Sequence, residues 1–236
     1  MNNLILSNGI TMPPIGMGTF PLQGTAMDVA IDTALSCGYR LFDTAYGYNN
    51  DDSLGNSLQK YLGKYGLSRK DIFITTKIGD KLVKGRPTGN YFYNSDSCKN
   101  RDVSAIVQSQ IKSAFNNLQT DYIDLLLFHY PYPDYYLEIW NCMETIYNEG
   151  KVRAIGVSNF RERHLEQIIN NSAIKPMVNQ FEHHPLNTKK YLVEYCQKLN
   201  IQIEAYSPLL MMNRKLTEST ILSKLSQKYS KSIPQI

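Results

Sequence analysis

A carboxylate, a phenol, an amine and an imidazole stand at the ends of short apolar runs in this chain. Asp43 and Tyr48 follow one run, Lys77 ends the next, and His129 ends the one after that. Gathered in one place, these four side chains make a proton-donating centre. The carboxylate holds the ammonium, and the ammonium lowers the phenol pKa from its unperturbed value of about 10. A phenol tuned in this way is a workable general acid near neutrality, where an isolated tyrosine is a poor one. A neighbouring imidazole can hold a carbonyl oxygen and stabilise charge developing on it. Ser158 and Asn159, Gln180, and Tyr206 with Ser207 lie in or at the ends of later runs.

The runs themselves are seven, rich in β-branched and apolar residues, at 15–20, 39–45, 72–78, 123–129, 154–160, 177–183 and 201–207. Helix-period segments separate them. Leu54, Leu58, Tyr61 and Leu62 share one face, as do Val103, Val107, Ile111, Phe115 and Leu118. Tyr191, Leu192, Tyr195 and Leu199 share another, in a segment with an expected cap at Asn187-Thr188. Trp140, Met143 and Ile146 have helical spacing and read as core. Nearly continuous apolar strands alternating with helices mean parallel strands covered on both faces.

Such units close into a (β/α)8 barrel or open into a doubly wound sheet. The open sheet should carry G-x-G-x-x-G after its first strand. Gly16-Met17-Gly18-Thr19-Phe20-Pro21 starts in that way but has Pro21 where the third glycine belongs. The barrel is therefore the predicted architecture, and chemistry in it belongs to the C-terminal ends of the strands, where the polar residues above fall. Leu4-Ile5-Leu6, Asn8-Gly9 and Ile10 predict an N-terminal β-hairpin with a type I′ turn, placed to plug the bottom of the barrel. Around 80–101 a polar insertion bearing Lys81, Lys84, Arg86, Tyr91, Phe92 and Tyr93 reads as a loop on the working face. A helix over 219–229 and a further start at Ser232-Ile233-Pro234 follow the seventh run. Residues 1–236 are thus expected to form a single α/β barrel domain lacking the eighth strand, with first and seventh strands presenting unpaired edges that invite self-association.

Composition excludes several classes. With 42% apolar and 19% charged residues the chain is an ordinary globular one, not a disordered or collagen-like one. A net charge of +4 is too mild to imply a nucleic-acid partner. The most apolar stretch, 123–128, contains Asp124, so no membrane span is expected, and Met1-Asn2-Asn3 does not read as a secretory leader. Cys37, Cys98, Cys142 and Cys196 lie far apart without C-x-x-C spacing and read as reduced, buried thiols of a cytoplasmic protein.

Several segments together resemble the aldo-keto reductase family. Phe42 through Asp51 (F-D-T-A-Y-G-Y-N-N-D) is similar to that family's D-T-A-x-x-Y-x-N-E signature, Ile74-Thr75-Thr76-Lys77 to its lysine strand, and 121–129 to its histidine strand. Residues 150–160, 178–185 and 205–209 match three further motifs, all in family order. The resemblance implies NAD(P)H-dependent reduction of aldehydes and ketones to alcohols, with NADPH as cofactor and NADH as the alternative. Tyr48 would donate the proton, Lys77 and Asp43 would tune it, and His129 would orient the carbonyl. Ser158, Asn159 and Gln180 would hydrogen-bond the nicotinamide carboxamide, Tyr206 would stack on its ring, and Ser207 and Leu209 would complete the cofactor-binding set. The implied partner is a small-molecule carbonyl, and the family norm is a monomer. Two small departures are Asp51 in place of Glu and Tyr130 where the family often has Trp. The larger one is the missing last strand, which in the family carries contacts to the adenosine-side phosphate.

Competing readings remain at this level. A barrel remnant without turnover is the main alternative. A hydrolase using paired carboxylates would need Glu or Asp ending the fourth strand, where His129 stands. His183-His184 invites a metal, but the family pattern uses neither, and no metal is expected. Tyr130, Tyr132, Tyr135 and Tyr136 either line a substrate pocket or face solvent.

Overall fold

The structure, a computed structural model, describes residues 3–79, 102–132 and 135–236. Cys98 and the insertion carrying Lys81, Lys84, Arg86, Tyr91, Phe92 and Tyr93 lie outside the described residues.

A short antiparallel hairpin, β1 (Leu4–Ile5) and β2 (Thr11–Met12), opens the chain. Seven parallel strands follow in strict sequential order: β3 (Met17–Gly18), β4 (Leu41–Asp43), β5 (Phe73–Ile78), β6 (Ile123–Phe128), β7 (Val152–Ser158), β8 (Val178–Glu182) and β9 (Gln202–Tyr206). They curl into a nearly closed barrel, and among the described residues no further strand joins β3 to β9. Helices α1 (Gly24–Ser36), α2 (Asp51–Tyr61), α3 (Val103–Leu118), α4 (Tyr136–Asn148), α5 (Glu162–Asn171) and α6 (Lys190–Lys198) cross between strands, and α7 (Arg214–Thr217) and α8 (Thr220–Tyr229) follow β9. No described helix is long and apolar enough to cross a membrane.

Every residue of β5 and β6 is buried, which is why these runs are continuous rather than alternating. α3 buries Val103, Val107, Ile111, Ala114 and Leu118 along one stripe, and its first turn is closed by the Asp102 carboxylate accepting from the Ala105 N–H. Trp140, Met143 and Ile146 are core, as their spacing predicts, and the Trp140 indole donates to the Ile174 carbonyl at 3.0 Å. Asp124, the one charge in β6, is fully buried. It accepts from Arg69 and Arg153 at 2.7 Å each and from the Ile74 N–H at 2.9 Å, so the charge is neutralised and its lone pairs are used. At Gly156 a Cβ would meet the Val178 carbonyl oxygen at 2.5 Å; β7 and β8 approach too closely there for any side chain.

The structure departs from three local expectations. The hairpin turn is not type I′. Only Gly9 has positive φ (85°), the Leu6 N–H pairs with the Ile10 carbonyl, and the Gly9 N–H donates to the Leu6 carbonyl. This is a three-residue loop with glycine at the left-handed position. Its Asn8 amide donates to the Arg153 carbonyl at the start of β7, which fastens the hairpin to the N-terminal end of the barrel. α6 begins at Lys190 rather than at the expected Asn187-Thr188 cap. Three residues before the helix, the Asn187 backbone pairs with His184 in a tight turn and its side-chain amide donates to Glu182. Tyr191, expected on the apolar face, is exposed. Of the described cysteines, all free, Cys196 is buried but Cys37, at the end of α1, is exposed.

Candidate active site

β4 ends on Asp43, and the chain turns at once through a 3-10 segment, Tyr46–Tyr48, that brings Tyr48 back over the strand end. A buried network holds this turn. The Thr44 hydroxyl lies 2.6 Å from Asp51 Oδ1 and 3.0 Å from Asn50 Oδ1, and the Asn50 amide donates to the Thr19 and Leu22 carbonyls. Asp51, the residue that stands in place of Glu, thus accepts from Thr44 within this network.

Lys77, on β5, is 1% exposed. Its Nζ donates to Asp43 Oδ1 at 2.5 Å, to the Thr44 carbonyl at 2.9 Å and to the Tyr48 hydroxyl at 3.3 Å. Burial opposes the charge on Lys77, but Asp43 and Tyr48 outweigh it and hold the amine above the ordinary lysine range. His129 follows β6, with its N–H on the Ile78 carbonyl. Its ring meets Tyr48 edge-on at 5.8 Å between centroids and stacks on Tyr130 at 4.3 Å. The four residues whose chemistry the sequence singled out are therefore neighbours.

The polar residues of β7 to β9 arrive at the same rim. Asn159, in the left-handed conformation (φ 63°), donates to the His129 carbonyl and to Ser158 Oγ, and accepts from the Tyr206 hydroxyl at 2.8 Å. Gln180 Nε2 donates to Asp43 Oδ2 at 2.8 Å, so both carboxylate oxygens of Asp43 are engaged. Ser207 and Leu209 sit on the turn after β9, where the Ser207 carbonyl accepts from the Leu210 N–H. Tyr132 and Tyr136 pack against Phe128 and Phe160 over the core, and Phe20 lies against Tyr48 at 5.1 Å. His184 accepts from the Leu186 N–H and lies 3.6 Å from Glu182.

One residue of this mouth went unnoticed in the sequence. Glu204 is opposite Gln180 in the β8–β9 register. Burial pushes its carboxyl up to about 8, and the Asp43 charge adds to the rise; Lys77 and the Gln180 amide offset only part of it. The signal was available, since Glu204 is the single acid in an otherwise largely apolar run.

The family model for the aldo/keto reductase family matches residues 14–228. The chain belongs to that family. Among aldo/keto reductase relatives, the glyoxal reductase of Bacillus subtilis is 37% identical over 98% of this chain and 75% of its own length. The methylglyoxal reductase of Escherichia coli O157:H7 is 34% identical, over 98% and 76%. Of solved structures, an aldo-keto reductase from a Medee basin deep-sea metagenome library is 36% identical with a TM-score of 0.83, covering 98% of this chain and 78% of that one. The aldose reductase of Schistosoma japonicum is 28% identical with a TM-score of 0.85, covering 100% and 77%. Its relatives are named as oxidoreductases and reductases, among them the glyoxal and methylglyoxal reductases above, and this aldo/keto reductase is an NAD(P)H-dependent oxidoreductase.

Proposed function

We propose that the protein reduces aldehydes and ketones to alcohols with NADPH, NADH being the alternative, and that Tyr48 gives the proton. The observation that carries this reading is the hydroxyl of Tyr48 at 3.3 Å from the Lys77 ammonium, which Asp43 holds in place.

As the proton leaves Tyr48, negative charge appears on its oxygen beside a buried cation, and the same arrangement in water would be far weaker. Asp43 keeps Lys77 charged and is itself steadied by Gln180. His129 holds the carbonyl oxygen next to the Tyr48 proton. The donor set fits a nicotinamide carboxamide: Ser158 hydroxyl, Asn159 amide and Gln180 amide offer both donors and acceptors at adjacent strand ends, with the Tyr206 ring beside them, and Ser207 and Leu209 on the following turn. When bound, the nicotinamide supplies the hydride. Phe20 and Tyr130 give the carbonyl an apolar, aromatic approach to Tyr48. The substrates of the two relatives named above, glyoxal and methylglyoxal, support small aldehydes as the first class to assay. A cytoplasmic setting is supported by the free thiols.

The test is loss of NADPH absorbance on adding methylglyoxal, compared between wild type and Tyr48→Phe. Tyr48→Phe is expected to abolish turnover while NADPH fluorescence still reports binding. Undiminished turnover in Tyr48→Phe would remove the assigned role.

A further inference from the structure

The mouth holds two carboxyl groups for one ammonium. Lys77 Nζ is committed to Asp43 Oδ1, Thr44 and Tyr48, and Asp43 Oδ2 takes the Gln180 amide. Glu204 is the surplus acid. Its residue is part-exposed along the outer strand β9, but its Oε2 is sealed from solvent and has no hydrogen-bond partner. The charged groups acting on it among the described residues are Asp43 of β4 and Lys77 of β5, with the uncharged Gln180 beside it on β8. A carboxyl with a sealed, unpartnered oxygen, within the field of another carboxylate and with the local cation already taken, is best accommodated as the neutral acid.

We infer that Glu204 is a positioning residue for proton donation: as a neutral acid it leaves the Lys77 ammonium shared between Asp43 and the Tyr48 hydroxyl, and on ionising it sets a second negative charge against that ammonium. The step is a simple ionisation, in which the carboxyl proton passes to solvent and no bond to substrate or cofactor changes. Its consequence falls on Tyr48. With Glu204 ionised, the net field at the phenol becomes more negative, the phenol holds its proton harder, and reduction slows. The inference rests on the reading of Tyr48 as the acid.

The folded protein without cofactor reports the first half. Labelled glutamate followed by carboxyl carbon-13 NMR, from mildly acidic to alkaline solution, should show one glutamate titrating near 8, absent from Glu204→Gln and shifted in Glu204→Asp. The second half is read from kcat/KM for methylglyoxal reduction. In wild type it should fall roughly threefold to tenfold through the same midpoint, while Glu204→Gln stays level there. A Glu204 signal titrating in the ordinary carboxylate range overturns the inference. So does a kcat/KM fall of equal size and midpoint in Glu204→Gln. Should Glu204→Gln fail to fold by circular dichroism, the wild-type titration and the Glu204→Asp profile decide instead. The reading of Tyr48 fails separately, by Tyr48→Phe retaining turnover, and the NMR titration is indifferent to that result.

Discussion

Lys77 Nζ lies 3.3 Å from the Tyr48 hydroxyl, although 29 residues separate them in the chain. The ammonium is buried and cannot be replaced by solvent cations, so removing it should act on chemistry more than on binding. Lys77→Met is expected to lower kcat by about a hundredfold or more, with a much smaller change in KM. Steady-state kinetics checks this; an unchanged kcat would detach the amine from proton donation.

Asp124 joins Arg69 and Arg153 beneath the barrel, where its carboxylate is fully buried. Asp124→Ala leaves two guanidinium groups without their anion and the Ile74 N–H without its acceptor. A loss of about 3–5 kcal/mol is expected. Urea unfolding measures it, and a loss below about 1 kcal/mol would mean that both arginines find water readily.

Gly156 lets β7 lie against β8, and a methyl group there would press on the Val178 carbonyl oxygen at 2.5 Å and on Leu127 at 2.9 Å. Gly156→Ala should cost about 1–3 kcal/mol and, by shifting Ser158 relative to Gln180, raise the KM for NADPH. Melting temperature and KM are the two readouts, and a variant normal in both would show that the strands part without penalty.

Glu204 also leaves a mark on stability. Its folded pKa near 8 lies above the unfolded value of about 4.3. Between these, the folded protein keeps a proton that the unfolded chain has released. The stability tied to this group is thus full in acid below the unfolded value and lost as pH rises through the folded one. Glu204→Gln should therefore gain on wild type with rising pH, by on the order of 5 °C in melting temperature on the alkaline side. Parallel melting curves across the range would contradict this.

Cys37 is exposed, while Cys196 is buried, its thiol pushed up by that burial and only partly relieved by Asn179. Alkylation followed by peptide mapping should find Cys37 modified first and Cys196 last of the three described thiols. Early labelling of Cys196 would indicate local opening of α6 from β8.

Much of this protein is written in local pattern. Continuous apolar runs separated by helical periods determined seven parallel strands in order, because burial on both faces leaves that trace in any stretch of chain. Polar residues breaking the ends of those runs, from Asp43 to Tyr206, marked one rim, since parallel strands all finish on the same side. Tertiary structure decided the rest. Gln180 reaches Asp43 across 137 residues, and nothing in either run announces the pair. Asn187 read as a helix cap, but it lies in a tight turn with His184, its side chain on Glu182, and α6 starts three residues later. Glu204 went unnoticed in its run, and only the curl of the sheet brings it within the influence of Asp43 and Lys77. Periodicity reports whether a side chain is buried, but which charges share the buried space depends on how far the sheet bends and on the register of each strand with the next.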